Sequence, residues 1–221
     1  MQAVLQWSGG KDSALAYHRL ATESSLDVVT LQTMYDPTHE RSSWHGIRCP
    51  VIEAQAAAIG TPVDLLPAAA DVGTYRKRTT EAFERYREAG ITYLAVGDIE
   101  TEDPDMPREQ AMTTAGLNPF YPLLGESPAD LVTAFLDAGF RAKLAVVNGE
   151  QLDHSYAGRE LTSDLIASLP DTVDIAGERG EYHTCVYDGP IFEEPLDLRV
   201  GEVVTRSIGE TSYHYADLLL D

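Results

Sequence analysis

The chain has 221 residues, 43% hydrophobic and 24% charged, a globular balance for one large domain or two modest ones that excludes a mainly disordered chain. Acidic residues outnumber basic ones 36 to 16, for a formal net charge of −20, which argues against a protein that grips nucleic acid broadly, because that needs clustered Lys and Arg. No stretch approaches the roughly 18 apolar residues of a membrane span, and Met1–Trp7 lacks the basic region of a secretory leader, so a cytoplasmic enzyme is the expected class.

In chain order, Ala3–Trp7 is a short apolar run that ends in Ser8-Gly9-Gly10, and helix-compatible spacing follows from Ser13 to Leu20. Val28–Met34 reads as a strand, Pro50–Ile59 as a helix stopped by Gly60, and Val63–Leu66 as a third strand. Tyr75, Thr79, Ala82, Phe83 and Tyr86 line one face of a helix ending at Gly90, whose Arg76, Lys77, Arg78, Arg85 and Arg87 read as a solvated basic face. Thr92–Val96 is a strand closed by Gly97-Asp98. This βαβαβαβ order predicts an α/β fold, a parallel sheet flanked by helices.

A helix from about Met106 to Ala115, with Asp105 as candidate N-cap, is followed by Asn118–Pro122, which breaks the pattern. The expected organisation is therefore a nucleotide-binding domain over residues 1–117 and a C-terminal α+β domain over 118–221. In the latter, Ser127-Pro128 opens a helix to about Gly139, Arg141–Val147 is a strand, and Glu181–Tyr187, Leu196–Thr205 and Ser212–Leu219 are further strands.

Ser8-Gly9-Gly10-Lys11-Asp12-Ser13 stands where a strand hands over to a helix, so backbone N–H groups and the positive end of the helix can converge on phosphate. Ser8 and Ser13 add hydroxyls and Lys11 a charge, and a carboxylate at Asp12 makes sense beside phosphates chiefly if Mg²⁺ bridges them. Asp98 ends a strand at the sheet edge where open α/β folds bind ligands; Glu100, Glu102, Asp103 and Asp105 read mostly as solvated loop charges. Cys49 and Cys185, 136 positions apart, suggest neither a disulfide framework nor a cysteine zinc site. Only three of the bases are Lys, and such surplus carboxylate suits a salt-rich cytoplasm, where repulsion is screened over about 3 Å at molar salt.

The S-G-G-x-D-S loop resembles the PP-loop of the ATP pyrophosphatases, which implies a HUP-like fold that splits ATP between its α and β phosphates. Gly177-Glu178-Arg179-Gly180-Glu181-Tyr182-His183-Thr184, followed by Asp188-Gly189-Pro190-Ile191-Phe192, resembles the signature of the diphthine-ammonia ligase family. Arg41, His45-Gly46-x-Arg48, Gln55-Ala56, Gly97-Asp98-Ile99, Arg108-Glu109, Gly116-Leu117 and Pro122-Leu123 stand in that family's order. Three positions depart from it: His183 where diphthine ligases usually carry Glu, Leu124 where Trp is common, and Arg179 where Gly or Asn is common. His45-Gly46-x-Arg48 also resembles a less characterised, mainly bacterial branch.

The resemblance implies an AMP-forming amide ligase using ATP and Mg²⁺, with ammonia as nitrogen donor and elongation factor two bearing diphthine as partner. It assigns ATP to Ser8, Gly9, Gly10, Lys11, Asp12, Ser13 and Asp98, and the second substrate to His45, Arg48, Glu178, Glu181 and Tyr182. Lys11, Asp12, Glu181 and His183 are the expected catalytic residues. Glu181 and His183, two apart on one strand, would face the same side and one would take a proton from the attacking nitrogen; alternatively Glu178, Glu181 and Tyr182 hold a quaternary ammonium, or the segment is a turn fixing the domain junction. Amidation of another small carboxylate, tRNA modification and a non-catalytic nucleotide sensor stand as rival readings.

Overall fold

The computed structural model describes residues 1–68, 71–100 and 107–221. The first half runs β1 (Gln2–Gln6), α1 (Lys11–Glu23), β2 (Asp27–Asp36), β3 (Arg41–Ser42), α2 (Cys49–Ile59), β4 (Val63–Pro67), α3 (Val72–Glu88), β5 (Tyr93–Ala95), α4 (Pro107–Ala115) and β6 (Asn118–Phe120). The second half adds α5 (Pro128–Asp137), β7 (Arg141–Asn148), α6 (Ser163–Ala167), β8 (Tyr182–Asp188), β9 (Leu198–Ile208) and β10 (Thr211–Leu220). Three of the acidic residues expected after β5, Glu102, Asp103 and the candidate cap Asp105, lie outside the described residues.

Strands β4, β2, β1, β5 and β6 form a parallel sheet in that order, and β3 pairs antiparallel with Tyr35 and Asp36 of β2. Alternation along β1 sends Ala3, Leu5 and Trp7 into one core with α1 and α2, and Val4 into a second core with Phe83 of α3 and Met112 of α4. Chain order runs outward from β1 to β4 and then returns to β5 on the other side of β1. The carboxyl ends of β1 and β5 thus flank a topological switch point, the place where open α/β sheets receive ligands.

The second sheet is antiparallel, in the order β8-β7-β10-β9. Its buried residues Leu144, Val146 and Cys185 share one apolar core with Leu15, Ile52 and Ala56 of the first half. Both halves therefore depend on a common interior. Two helix starts follow their local sequence: Asp71 accepts from Thr74 N at 2.8 Å and Ser127 from Asp130 N at 3.1 Å.

Two expectations need correction. Asn118–Phe120 is not a break but a strand paired in parallel with β5, and Pro119 is tolerated there because β6 is the edge of the sheet. Glu181 precedes β8 instead of lying within it, so its side chain is free to turn back into the loop before the strand.

Candidate active site

The loop after β1 is fixed by contacts from distant parts of the chain. Gly9 O accepts from Val186 N at 2.9 Å and from Gln55 Nε2 at 3.0 Å. Gln55, with no exposed surface, also donates to Val186 O at 2.6 Å and accepts from Trp7 Nε1 at 3.0 Å, so one amide ties β1, the loop and β8 together. Gly9 has φ +80, and a Cβ on it would stand 2.7 Å from Gln55 Oε1; both facts demand glycine. A Cβ on Gly10 would stand 3.1 Å from Thr184 O. Gly9 is thus required by the protein's own packing and Gly10 sits in a tight one, where the sequence alone suggested only room for phosphate.

Helix α1 begins at this loop without a side-chain cap from its own N-cap residue, Gly10. Instead Thr184 Oγ1 of β8 accepts from Lys11 N at 2.9 Å. Ser8 and Ser13 hydroxyls lie 3.1 Å apart, and Ser13 donates to Gly10 O at 3.0 Å.

Facing the loop is the segment that leads into β8. Glu181, 1% exposed, accepts from Asp174 N at 2.9 Å and from Arg179 N at 3.0 Å, and the Tyr182 hydroxyl donates to Ile175 O. This carboxylate holds the turn together. It is absent from the lining of the pocket of about 230 Å³ that separates the two segments, which is formed by Lys11, Asp12, His45 and Asp98 on one side and Glu178, Tyr182, His183 and Thr184 on the other.

Lys11 is 4% exposed, and its ammonium lies 2.8 Å from Asp12 Oδ1, 2.9 Å from Asp12 Oδ2 and 3.2 Å from Glu178 Oε1. Burial pulls its pKa down, but Asp12 and then Glu178 outweigh burial and the net shift is upward. Burial raises the Glu178 carboxyl above its ordinary range against the pull of Lys11. His45 and His183, one from each half, lie against each other with ring centroids 4.4 Å apart and planes tilted by 41°. Burial lowers His45 to about 4; burial, then His45 and Lys11, lower His183 to about 3. Both rings are therefore neutral at pH 7, and His183 does not titrate near neutrality as its residue type suggested.

Asp98 is held by Arg108, whose Nη2 donates to Asp98 Oδ2 at 2.8 Å while Nη1 donates to Gln6 Oε1 at 3.0 Å. Arg48 is drawn away from the pocket: its Nε and Nη2 grip both oxygens of Asp217 at 2.7 and 2.8 Å, and Arg41 reaches the same carboxylate at 2.7 Å. These hydrogen bonds hold Asp217 down at about 2. They fasten the loop that carries His45 onto β10.

The pocket thus collects Lys11, Asp12, Asp98, His45, Glu178, Tyr182 and His183 of the expected site residues, with Ser8, Gly9, Gly10 and Ser13 in the adjoining loop; Glu181 and Arg48 act behind it. The positioning roles of Gln55, Thr184 and Asp217 had no local signal, because each acts on a partner far away in the chain; Arg108 joins a near partner, Asp98, to a distant one, Gln6. Neither thiol is prepared for sulfur transfer: burial pushes Cys185 up to about 12 and raises Cys49.

Among the described residues no group of three or more His, Cys, Asp or Glu side chains is arranged to hold a metal ion, and no helix is long and apolar enough to cross a membrane. Asp12 Oδ1, although close to the Lys11 ammonium, receives no aligned hydrogen bond. That oxygen fits a single protein ligand to a Mg²⁺ ion whose other ligands are phosphates and water.

No curated protein sequence matches the chain. Among solved structures, it resembles one described as a predicted subunit of a tRNA methyltransferase from Methanocaldococcus jannaschii, at 16% identity and a TM-score of 0.45, over 84% of this chain and 96% of that one. The family model of the diphthamide synthase C-terminal domain matches residues 127–213, and that of the diphthamide synthase N-terminal domain matches residues 1–118. With both domain models matched in order and the N-terminal one alone spanning more than half of the sequence, the chain belongs to the diphthamide synthase family.

Proposed function

We propose that this protein is an ATP-dependent ligase of the diphthine-ammonia type, which converts a carboxylate to its acyl adenylate with release of pyrophosphate and then passes the acyl group to ammonia with release of AMP. The observation that carries this reading is the meeting of two segments around one pocket: the phosphate-type loop with Lys11 at the start of α1, and the Glu178–Thr184 segment of the second half. Family membership supports the same reaction. Its expected setting is the cytoplasm, and its partner is elongation factor two bearing diphthine.

In the first step a carboxylate oxygen attacks the α-phosphorus and the bond to the bridging oxygen breaks, leaving charge on pyrophosphate. Lys11 and the backbone N–H groups at the start of α1 are suited to stabilise that charge. Mg²⁺ on Asp12 would neutralise part of it. In the second step the ammonia nitrogen bonds to the acyl carbon, AMP departs and the nitrogen loses one proton. Glu178, with its raised pKa, is a better acceptor for that proton than either neutral imidazole.

A second reading, amidation of a different small carboxylate, is favoured by one observation. His183, standing where diphthine ligases usually carry Glu, is uncharged and sits against His45, so this position supplies no anion for diphthine's quaternary ammonium and Glu178 is left as the carboxylate of this wall. The test is AMP and pyrophosphate release with ammonium present and diphthine-bearing elongation factor two added or omitted, comparing wild type with Asp12→Ala and Lys11→Met. Factor-dependent release that falls by about 10²–10³ in Lys11→Met and is lost in Asp12→Ala is expected. Release with other carboxylates only selects the second reading, and MgATP binding without turnover selects a nucleotide sensor.

A further inference from the structure

Among the described residues, Lys11 is the only Lys or Arg lining the pocket, and its charge is already shared between two carboxylates of the same chain. A polyphosphate that enters meets a cation neutralised from within. Asp12 adjoins Lys11 on the first turn of α1 and cannot move far from it. Glu178 belongs to the other half, 167 positions away, and its side chain is only partly covered, at 27% exposure.

The attachment of the Glu178 loop makes it replaceable. The loop is fastened by Glu181, through Asp174 N and Arg179 N, and by the Tyr182 hydroxyl on Ile175 O, not by Glu178. Gly177 has φ +73, and a Cβ on it would stand 2.7 Å from Tyr182 O, so this glycine sets the direction in which Glu178 leaves the backbone. Glu178 is therefore presented to Lys11 by a loop that keeps its shape when that one contact is broken.

We propose that Glu178 is an internal counter-anion, standing on Lys11 where a nucleotide phosphate oxygen binds, and that nucleotide displaces it and so frees a carboxylate to receive a cationic nitrogen donor, ammonium. The inference rests on the ATP reading of the loop. It adds an order to the reaction: nucleotide first, ammonium second. The carboxylate that blocks the empty site becomes the site of the second ligand.

The test is calorimetric titration of the full chain with MgATP, comparing wild type with Glu178→Gln, Glu178→Asp and, as a second neutral variant, Glu178→Ala. Removing the competing carboxylate is expected to tighten MgATP binding about fivefold, the scale of one partly exposed ion pair, in both neutral variants, while Glu178→Asp stays near wild type. Ammonium chloride is expected to raise the thermal midpoint above equimolar potassium chloride only when MgATP is present, and not in Glu178→Gln. MgATP binding that the neutral variants leave unchanged or weaken overturns this inference alone, as does an ammonium shift without nucleotide. Absence of MgATP binding to every protein overturns the phosphate-loop reading together with it.

Discussion

The pocket is bounded by two short loops that reach their shapes by opposite means. Residues 8–13 have internal hydrogen bonds from Ser8 and Ser13, but the loop is fixed in place from outside: Gly9 O is gripped by Gln55 and Val186, and Lys11 N is capped by Thr184. Residues 174–181 carry their scaffold with them, in the Glu181 carboxylate and the Tyr182 hydroxyl. A loop held from outside reports whether the two halves are docked, whereas a self-held loop keeps its form regardless. On the proposed reading of the 8–13 loop, phosphate binding is accordingly a property of the assembled chain.

The sharpest way to break this contrast is Gln55→Leu. It leaves Trp7 Nε1 and Val186 O without their buried partner and is expected to cost about 3 kcal/mol of stability, read by urea denaturation, with MgATP affinity falling in parallel. Retained affinity in the folded variant would mean that the loop holds itself.

Acid should separate the halves next. His45 and His183 meet across the junction with pKa values depressed to about 4 and 3, below the ordinary 6.5, so the unfolded chain binds more protons than the folded one between those limits. Their contribution is complete above pH 6.5 and is lost as pH falls toward 4. Between pH 7 and 5 the pair should cost about 2 kcal/mol, allowing for solvent that enters the pocket. A doubly substituted His45→Gln, His183→Gln protein should show a flatter pH profile of urea midpoints, and an unchanged slope would remove the pair from the junction's acid response.

Glu181→Ala addresses the self-held loop. Two backbone N–H groups lose a charged acceptor, for about 1.5 kcal/mol, but MgATP affinity should stay close to wild type because the 8–13 loop takes no support from Glu181. Weakened nucleotide binding would show that the two loops are not separately built. The smallest effect is expected from Thr184→Val, about 1 kcal/mol for the lost cap, with Thr184→Ser restoring it and hydrogen exchange at Lys11 N as the local readout.

Much of the first half was legible because its signals are local. A short apolar run marked β1 and Gly60 closed α2 at φ +77; in the second half, too, Ser127-Pro128 opened α5 as its capping chemistry requires. Asn118–Phe120 misled because proline usually interrupts a strand, and only its position at the sheet edge makes it acceptable. Glu181 misled because period-two spacing assumes that it lies within the strand, which begins one residue later, at Tyr182. Helix α6, five residues long, is too short to show a period.

By itself the sequence determined the parallel α/β framework, the strand-loop-helix that bears Lys11 and Asp12, and the family, since each rests on spacing within a few residues or on motifs read in order. Tertiary structure alone decided that Thr184 caps a helix 173 positions away, that Gln55 joins Gly9 to Val186, that Arg48 serves Asp217 while Arg108 serves Asp98, and that two histidines stand neutral beside Lys11. Hydrogen bonds and desolvation depend on which atoms meet in the folded chain, and for pairs from 10 to 173 residues apart no local pattern encodes that meeting.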